Sequence, residues 1–479
     1  MHSTRRQFLN AGAMGLGGLA LAWLEQQRLA AAPVKPPLAP PVFDLQPKSP
    51  HKPPRAKAMI SLWMQGGPSH IDLFEPKPEM AKWEGKKFPG EIEYDMANQA
   101  SDKVLPALWK FQHYGKCGMQ LSEQIPHIGG IADEITLVRS MYTGINNHGQ
   151  SIRMLQAGRN LAGRPCLGSW ITYALGSESQ ELPAFVAMIS PGRLPVQGVE
   201  NWSNGFLPSI YQGTAVRPRE PRILNLVPPP HLRGETQASA LDYLERLNQR
   251  HLENHPGNTD LEARIASYEL AAKMQIAATE ALDLSQETEA TRRMYGLDDP
   301  ETADFGSRCL LARRLVERGV RFVQIYCGGQ DWDHHNQIVS KLPEMCRQTD
   351  RPSAALVKDL KQRGLLDTTI VHWGGEMGRL PVVQTGGSGT RERMGRDHNT
   401  KGFSMWLAGG GFRAGHVYGA TDDFGHEAVE GRVSPHDYHA TLFHLFGLDH
   451  ELVAFRQGGR EQSLIDGQSC RVVTEILDG

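Results

Sequence analysis

From residue 303 onward, helix-like and strand-like segments alternate, and this alternation constrains the fold more than any other feature of the chain. A helical pattern runs over Ala303 to Arg318, a short apolar strand over Arg321 to Tyr326, a helix over Asn336 to Arg363, and strands over Thr368 to Trp373 and Gly402 to Ala408. A last helix, Pro435 to Phe446, has Ser434 as its cap and proline in the first turn, where a missing N–H costs nothing. Helices alternating with buried strands predict an α/β fold with a mainly parallel sheet covered on its faces. Upstream, Ala58 to Met64, Ile135 to Arg139 and Leu182 to Met188 read as further strands, and Ser151 to Gln156 as the start of a helix. The Ala-, Leu-, Glu- and Arg-rich stretch from Thr236 to Arg293 reads as two long helices broken at His255-Pro256-Gly257-Asn258, a peripheral insertion over about 236–295.

Composition narrows the function classes. With 51 Lys and Arg against 53 Asp and Glu, the net charge is −2, so no field draws the chain to nucleic acid or to an anionic membrane. The six cysteines form no CxxC pair, which argues against a zinc ribbon or a thioredoxin-type site and leaves one or two disulfides open.

The N-terminus reads as an address. Thr4-Arg5-Arg6-Gln7-Phe8-Leu9 precedes an apolar, glycine-diluted run from Ala11 to Trp23, and Leu29-Ala30-Ala31-Ala32 offers small residues for cleavage. This resembles a Tat signal peptide over residues 1–32. It implies the Tat export machinery as a partner, a periplasmic or secreted location and no stable membrane span after cleavage, because the apolar run falls short of the ~20 residues that cross a bilayer. Residues 33–56, rich in Pro, Lys and Ala, read as an extended linker, and the folded domain is expected over 57–479.

Ligands of open α/β sheets bind in the loops beyond the strand ends, and these loops hold the reactive side chains of this chain. After the strand ending at Tyr326 comes Asp331-Trp332-Asp333-His334-His335. After the strand ending at Trp373 comes Gly374-Gly375-Glu376-Met377-Gly378-Arg379, and a Gly-rich segment then leads to Asp397-His398. One Asp-His pair in a loop is commonly a solvated turn; three acid and histidine clusters after candidate strands point to a site for one or two divalent ions such as Zn, Mn, Ca or Fe. His113, His127, His416, His426, His444 and His450 lie outside these clusters and read as ordinary surface or core histidines.

The segments Gly66-Gly67-Pro68-Ser69-His70-Ile71-Asp72, Asn147-His148-Gly149-Gln150-Ser151, Trp332-Asp333-His334-His335, Gly375-Glu376-Met377-Gly378-Arg379, Asp397-His398 and His436-Asp437-Tyr438-His439 together resemble the DUF1501 family, over about residues 45–479. That family is similar to the alkaline phosphatase and sulfatase superfamily. The resemblance implies a three-layer sandwich around a mainly parallel sheet, and one or two metals. By position it implies Asp72, Asp397 and His398 as one ligand cluster, and Asp333, His335 and His436 or Asp437 as the other. It also implies hydrolysis of an anionic ester, a phosphorylated or sulfated substrate.

His148 stands where sulfatases carry the cysteine that becomes formylglycine, so a classical arylsulfatase mechanism is not expected. His148, Glu376 and Arg379 are the candidate catalytic residues: His148 as ligand, phosphoryl acceptor or orienter of water, Glu376 as ligand, support of a histidine or general base, and Arg379, with Arg159, as a fork for the anion or as a salt-bridge partner. Because a divalent ion lowers the pKa of its water to about 7 in favourable sites, hydrolysis needs no protein nucleophile. The competing expectation is a non-catalytic, metal-containing envelope or polysaccharide-binding protein of the same fold.

Overall fold

The structure is a computed structural model that describes residues 43–191, 193–217, 220–223, 234–255, 259–385 and 390–479. The expected signal peptide, the first part of the linker, the break at 256–258 and the glycine run 386–389 lie outside the described residues.

Eight strands form the central sheet, labelled here with a two-strand ribbon in chain order: β1 Ala58–Trp63, β2 Ile135–Met141, β3 Phe185–Met188, β4 Thr214–Val216, β5 Phe322–Tyr326, β6 Thr369–Gly374, ribbon strands β7 Gly378–Arg379 and β8 His398–Asn399, then β9 Phe403–Ala408 and β10 His416–Tyr418. The sheet order is β10-β2-β9-β6-β1-β5-β3-β4. Strand β1 lies between β5 and β6, with Met59 opposite Phe322 on one side and Ile370 on the other. All pairings in the sheet are parallel except those of β9 with β2 and β6. The reversal of β9, which alternation alone does not disclose, has a simple cause. After β6 the chain stays at the strand ends to form the β7–β8 ribbon, so it enters β9 from the opposite end.

Among the described residues the helices longer than two turns are α1 His148–Ala157, α2 Leu167–Leu175, α3 Glu235–Asn254, α4 Thr259–Leu282, α5 Ala303–Glu317, α6 Ile338–Gln362 and α7 Pro435–Leu445. Side chains alternate across a strand, and β1 shows what each face meets. Ile60 and Leu62 join Leu310 and Leu311 of α5 and Leu356 of α6 in one buried cluster. Met59, Ser61 and Trp63 face the other way and share a small internal cavity with Leu155 of α1, Leu167 of α2 and Tyr438 of α7. The sheet is therefore the middle of three layers, and its strands are buried on both faces, as parallel strands must be.

The helices over 303–317, 338–362 and 435–445 match the sequence expectation to within two residues. The helix expected from Ser151 begins earlier, at His148, because Asn147 caps it by accepting from Gln150 N. The two long helices of the insertion are present, and α3 buries none of its residues. Residues 43–56, the described part of the expected linker, carry no regular element but do not run free: Phe43 and Leu45 are buried, and the backbone N–H of Arg55 donates to Leu445 O. All six cysteines are free thiols. No helix among the described residues is long and apolar enough to cross a membrane.

Candidate metal centre

Strands β1, β5 and β6 end side by side, and their following loops close over one another because glycine leaves room. Gly66, at φ +112°, sits so near the β5 loop that a Cβ there would lie 2.3 Å from Asp333 N. Gly395 approaches the same loop, where a Cβ would lie 2.3 Å from the carbonyl carbon of His335. Any side chain at either position would force the loops apart. Between them the β5 loop delivers Asp333 and His335, the first turn of α1 delivers His148, and β8 delivers His398.

One ligand atom from each of His148, Asp333, His335 and His398 lies within 4.8 Å of the others. His335 Nε2 is 2.9 Å from His398 Nε2 and 3.1 Å from Asp333 Oδ1, and His398 Nε2 is 3.4 Å from the same oxygen. His148 Nε2 is 3.3 Å from Asp333 Oδ2. Outer partners set the tautomers. His148 Nδ1 lies 2.6 Å from Glu376 Oε1, and His335 Nδ1 lies 2.7 Å from Gln384 Oε1; both contacts put a proton on Nδ1 and turn Nε2 inward. Two imidazole Nε2 atoms lie 2.9 Å apart beside a carboxylate, a compact donor set of the kind that surrounds a cation. Three imidazoles and one carboxylate suit Zn²⁺ or a similar divalent ion, so the residues present fit the metal that the sequence implies.

Proton affinities point the same way. Burial opposes charge on His148, but Asp333 and Glu376 outweigh it and hold its pKa up at about 9. Burial and Arg379 press His398 down to about 3, despite Asp333. Asp333 itself is driven far below the usual carboxylate range: burial works against this, and Arg379 and the three imidazoles prevail. A proton on His148 thus balances charge where a dication would do so more fully.

Asp397 stands beside this set. Its Oδ1 accepts from His398 N at 2.8 Å and lies 3.5 Å from His335 Nδ1, while Oδ2 accepts from Met96 N at 3.1 Å. Asp95, Asp397, His335 and His398 make a second convergent group. Asp95 carries no sequence signal of its own, since it lies in an exposed loop without an adjacent strand end or histidine.

Three residues expected as ligands are engaged elsewhere. Asp72 is fully buried, paired with Arg396 at 2.8 and 3.2 Å, and accepts from Ser69 Oγ at 2.6 Å and Leu108 N at 3.0 Å, so both oxygens are saturated. His436 Nε2 is 2.9 Å from Gly158 O, and Asp437 completes a capping box with Ser434 at the start of α7 and accepts from Arg471 N. The Ser434-Pro435-His436-Asp437 spacing is that of a helix start, and the acid is consumed there.

The two candidate anion forks also differ from expectation. Arg379, with no exposed surface, spends its guanidinium on the carbonyls of Gly66, Gly67 and Arg396 and on Asp333 Oδ1 at 2.5 Å, so it positions Asp333 and does not reach substrate. Arg159 binds Asp466. Glu376 is fully buried, accepts from Gly66 N and supports His148.

No curated protein matches the chain significantly. Among solved structures, PsFucS1 sulfatase from Pseudoalteromonas sp. is 14% identical with TM-score 0.35, covering 83% of this chain and 69% of its own. Lipoteichoic acid synthase LtaP from Listeria monocytogenes is 7% identical with TM-score 0.36, at 85% and 74% coverage. The phosphonate monoester hydrolase SpPMH from Silicibacter pomeroyi is 11% identical with TM-score 0.30, at 67% and 68% coverage. Likeness this low transfers no activity. A family described as "Protein of unknown function (DUF1501)" matches residues 56–477, and the chain, with its strand-end glycines, acids and histidines, belongs to that family.

Proposed function

We propose that this protein is an exported metal-dependent hydrolase acting on a phosphate or sulfate ester, with its metal held by His148, His335, His398 and Asp333. The observation that carries the reading is the convergence of three Nε2 atoms on one carboxylate at the ends of parallel strands. A divalent ion there would supply Lewis acidity to an ester's oxygens and make water more acidic.

The surrounding residues prepare that site. Glu376 and Gln384 hold two imidazoles by their Nδ1 protons, so the rings cannot turn away. Arg379 fixes Asp333 and offsets its charge inside a buried shell. Asp95 Oδ2, 3.9 Å from His398 Nδ1 on a partly exposed side chain, adds negative charge behind that ring. Export rests on the arginine pair and apolar run of residues 1–32.

The test is elemental analysis of the purified protein, followed by turnover on panels of phosphate and sulfate esters. About one or two equivalents of a divalent metal and hydrolysis abolished by chelator are expected; no metal, and no gain in thermal stability from any divalent ion, would overturn the reading.

One observation favours a non-catalytic metal-containing binding protein instead. Ser151, the hydroxyl nearest His148 in sequence, is committed to Glu376 O at 2.7 Å and to Thr143 Oγ1 at 3.1 Å. Tight metal binding without turnover on either panel would select that alternative.

A further inference from the structure

In the loop after β3, Gln197 holds a backbone conformation that its side chain disfavours. It sits in the left-handed region, at φ +71° and ψ −4°, just before the short turn Gly198–Trp202. Glycine adopts that conformation freely, and a residue with a long side chain does not. A glutamine kept there, where glycine would relieve the strain, points to a use for its carboxamide.

The surroundings hold the strained residue in place. Val196 N donates to Gln65 Oε1 at 3.0 Å, and the buried Asn201 side chain donates to Val196 O at 2.7 Å and to Gly198 O at 3.1 Å. Asn201 O accepts from the Tyr326 hydroxyl at 3.2 Å. Gln65 immediately precedes Gly66, and Tyr326 is the last residue of β5, so the loop is anchored at two of the strand ends whose loops close over the centre.

The carboxamide itself meets α1. Oε1 accepts from Arg153 Nη2 at 2.6 Å, and Arg153 Nε donates to Glu200 Oε2 at 2.9 Å, which ties this loop to that helix twice. Nε2 lies against Gly149, where a Cβ would come within 1.8 Å of it. Glycine is a poor helix former, and at position 149 it leaves the room that the carboxamide occupies. Gly149 directly follows His148. The first turn of α1 is thus held at its backbone by Gln197, while Glu376 Oε1 and Asp333 Oδ2 hold the His148 ring at 2.6 and 3.3 Å.

We propose that Gln197 is a positioning residue of the metal centre: its carboxamide, seated against Gly149 and fastened to Arg153, fixes the first turn of α1 so that His148 Nε2 faces Asp333. The proposal rests on the reading of the centre as a metal site. A ligand held in place beforehand gives up less freedom when the ion binds, so the contribution of Gln197 is read in metal affinity.

The experiment measures Zn²⁺ affinity of the full-length protein by competition with a chromophoric chelator, and urea midpoints of the chelated protein. Gln197→Gly removes the carboxamide and places at φ +71° a residue that adopts it without strain. Gly149→Ala keeps Gln197 but displaces the flexible end of its side chain, and alanine favours the helix. Each variant should weaken Zn²⁺ binding about tenfold, the low end of the effect of partners behind a metal ligand, with a midpoint equal to or above that of wild type. In a His148→Ala background, Gln197→Gly should change the affinity less than about twofold, because the coupling runs through that ring. A lowered midpoint with affinity intact would mark a structural brace and overturn the proposal. Equal loss of affinity with and without His148 would overturn it too, and either result leaves the metal reading standing. A wild type that takes up neither Zn²⁺ nor any other divalent ion would overturn the metal reading, and the role of Gln197 with it.

Discussion

Two buried clusters of charge, one among the helices on a face of the sheet and one in the loops beyond its strand ends, solve the same problem differently. Around Arg313, every charge meets its opposite: Nε lies 2.8 Å from Asp359 Oδ2, Nη2 2.7 Å from Glu287 Oε2 and Nη1 2.7 Å from Glu317 Oε2. Arg363 takes the other oxygen of Asp359 at 2.8 Å, and Arg314 the other oxygen of Glu287 at 2.5 Å. Around Asp333, three imidazoles crowd a carboxylate with Arg379 as the one full-time cation, and two Nε2 atoms face each other. The first cluster is complete within the protein and ties α5, α6 and the end of the insertion together. The second joins its histidines only to one another, to Asp333 and to outer acceptors, with no cation at its middle. Density of buried charge therefore does not by itself single out a candidate site; converging ring nitrogens do.

The largest effect should come from breaking the complete cluster. Arg313→Ala leaves Asp359 and Glu287 short of their central partner, and removing one member of a buried charge network costs about 3–5 kcal/mol. Urea unfolding should show a loss of that order, with metal stoichiometry in the folded protein unchanged. A loss below 1 kcal/mol would mean that water already reaches the network. The incomplete cluster should respond to the opposite manipulation. Adding a divalent ion at a thousandfold excess over its Kd stabilises the state that binds it by about 4 kcal/mol. A chelator-reversible rise in melting temperature is expected in wild type and not in Asp333→Ala; equal rises in both would remove Asp333 from the ligand set.

Most of this contrast was legible in the sequence on one side only. The strand-end rule located Asp333, His335, Asp397 and His398, because loops that follow parallel strands converge whatever the helices between them do. His148 was legible as a special position, but its place in the convergent group needed the Asn147 cap, which starts α1 early enough to aim the ring inward. Asp72, His436 and Asp437 meet other partners, which positional likeness does not disclose: Arg396 lies 324 residues from Asp72, and the acid of a helix start reads the same as a metal ligand. Asp95 was illegible, since its approach to His398 depends on loops whose meeting no periodicity encodes.

A smaller change sharpens what the outer partners of the centre contribute. Glu376→Gln keeps an acceptor for the His148 Nδ1 proton and for Gly66 N but removes a buried charge. Partners of this kind are worth about 10–100-fold in metal affinity, roughly 1.4–2.7 kcal/mol. Competition with a chromophoric chelator should show weakening in that range with an unchanged number of ions. No change in affinity would reduce Glu376 to a packing role and make the centre indifferent to its second layer.

Asp350 lies between the two clusters in kind, and it yields the smallest and most specific test. It is buried and, among the described residues, forms no ion pair, and it caps the short helix Pro126–Gly129 by accepting from His127 N at 2.8 Å and Ile128 N at 2.7 Å. Burial pushes its pKa up from 3.8 to about 7, against the pull of those two N–H groups and of Lys358. The folded protein thus holds this proton more tightly than the unfolded chain. The stability it contributes is fully present below pH 3.8 and is lost as pH rises through about 7. Asp350→Asn keeps an acceptor at the helix start and cannot ionise. Between pH 4 and pH 7.5 the unfolding free energy of wild type should therefore fall relative to that of the variant, read from urea midpoints at matched salt. Parallel pH profiles would show that two backbone donors alone suffice to hold a buried carboxylate charged, and would narrow the difference between the complete and incomplete clusters to the histidines themselves.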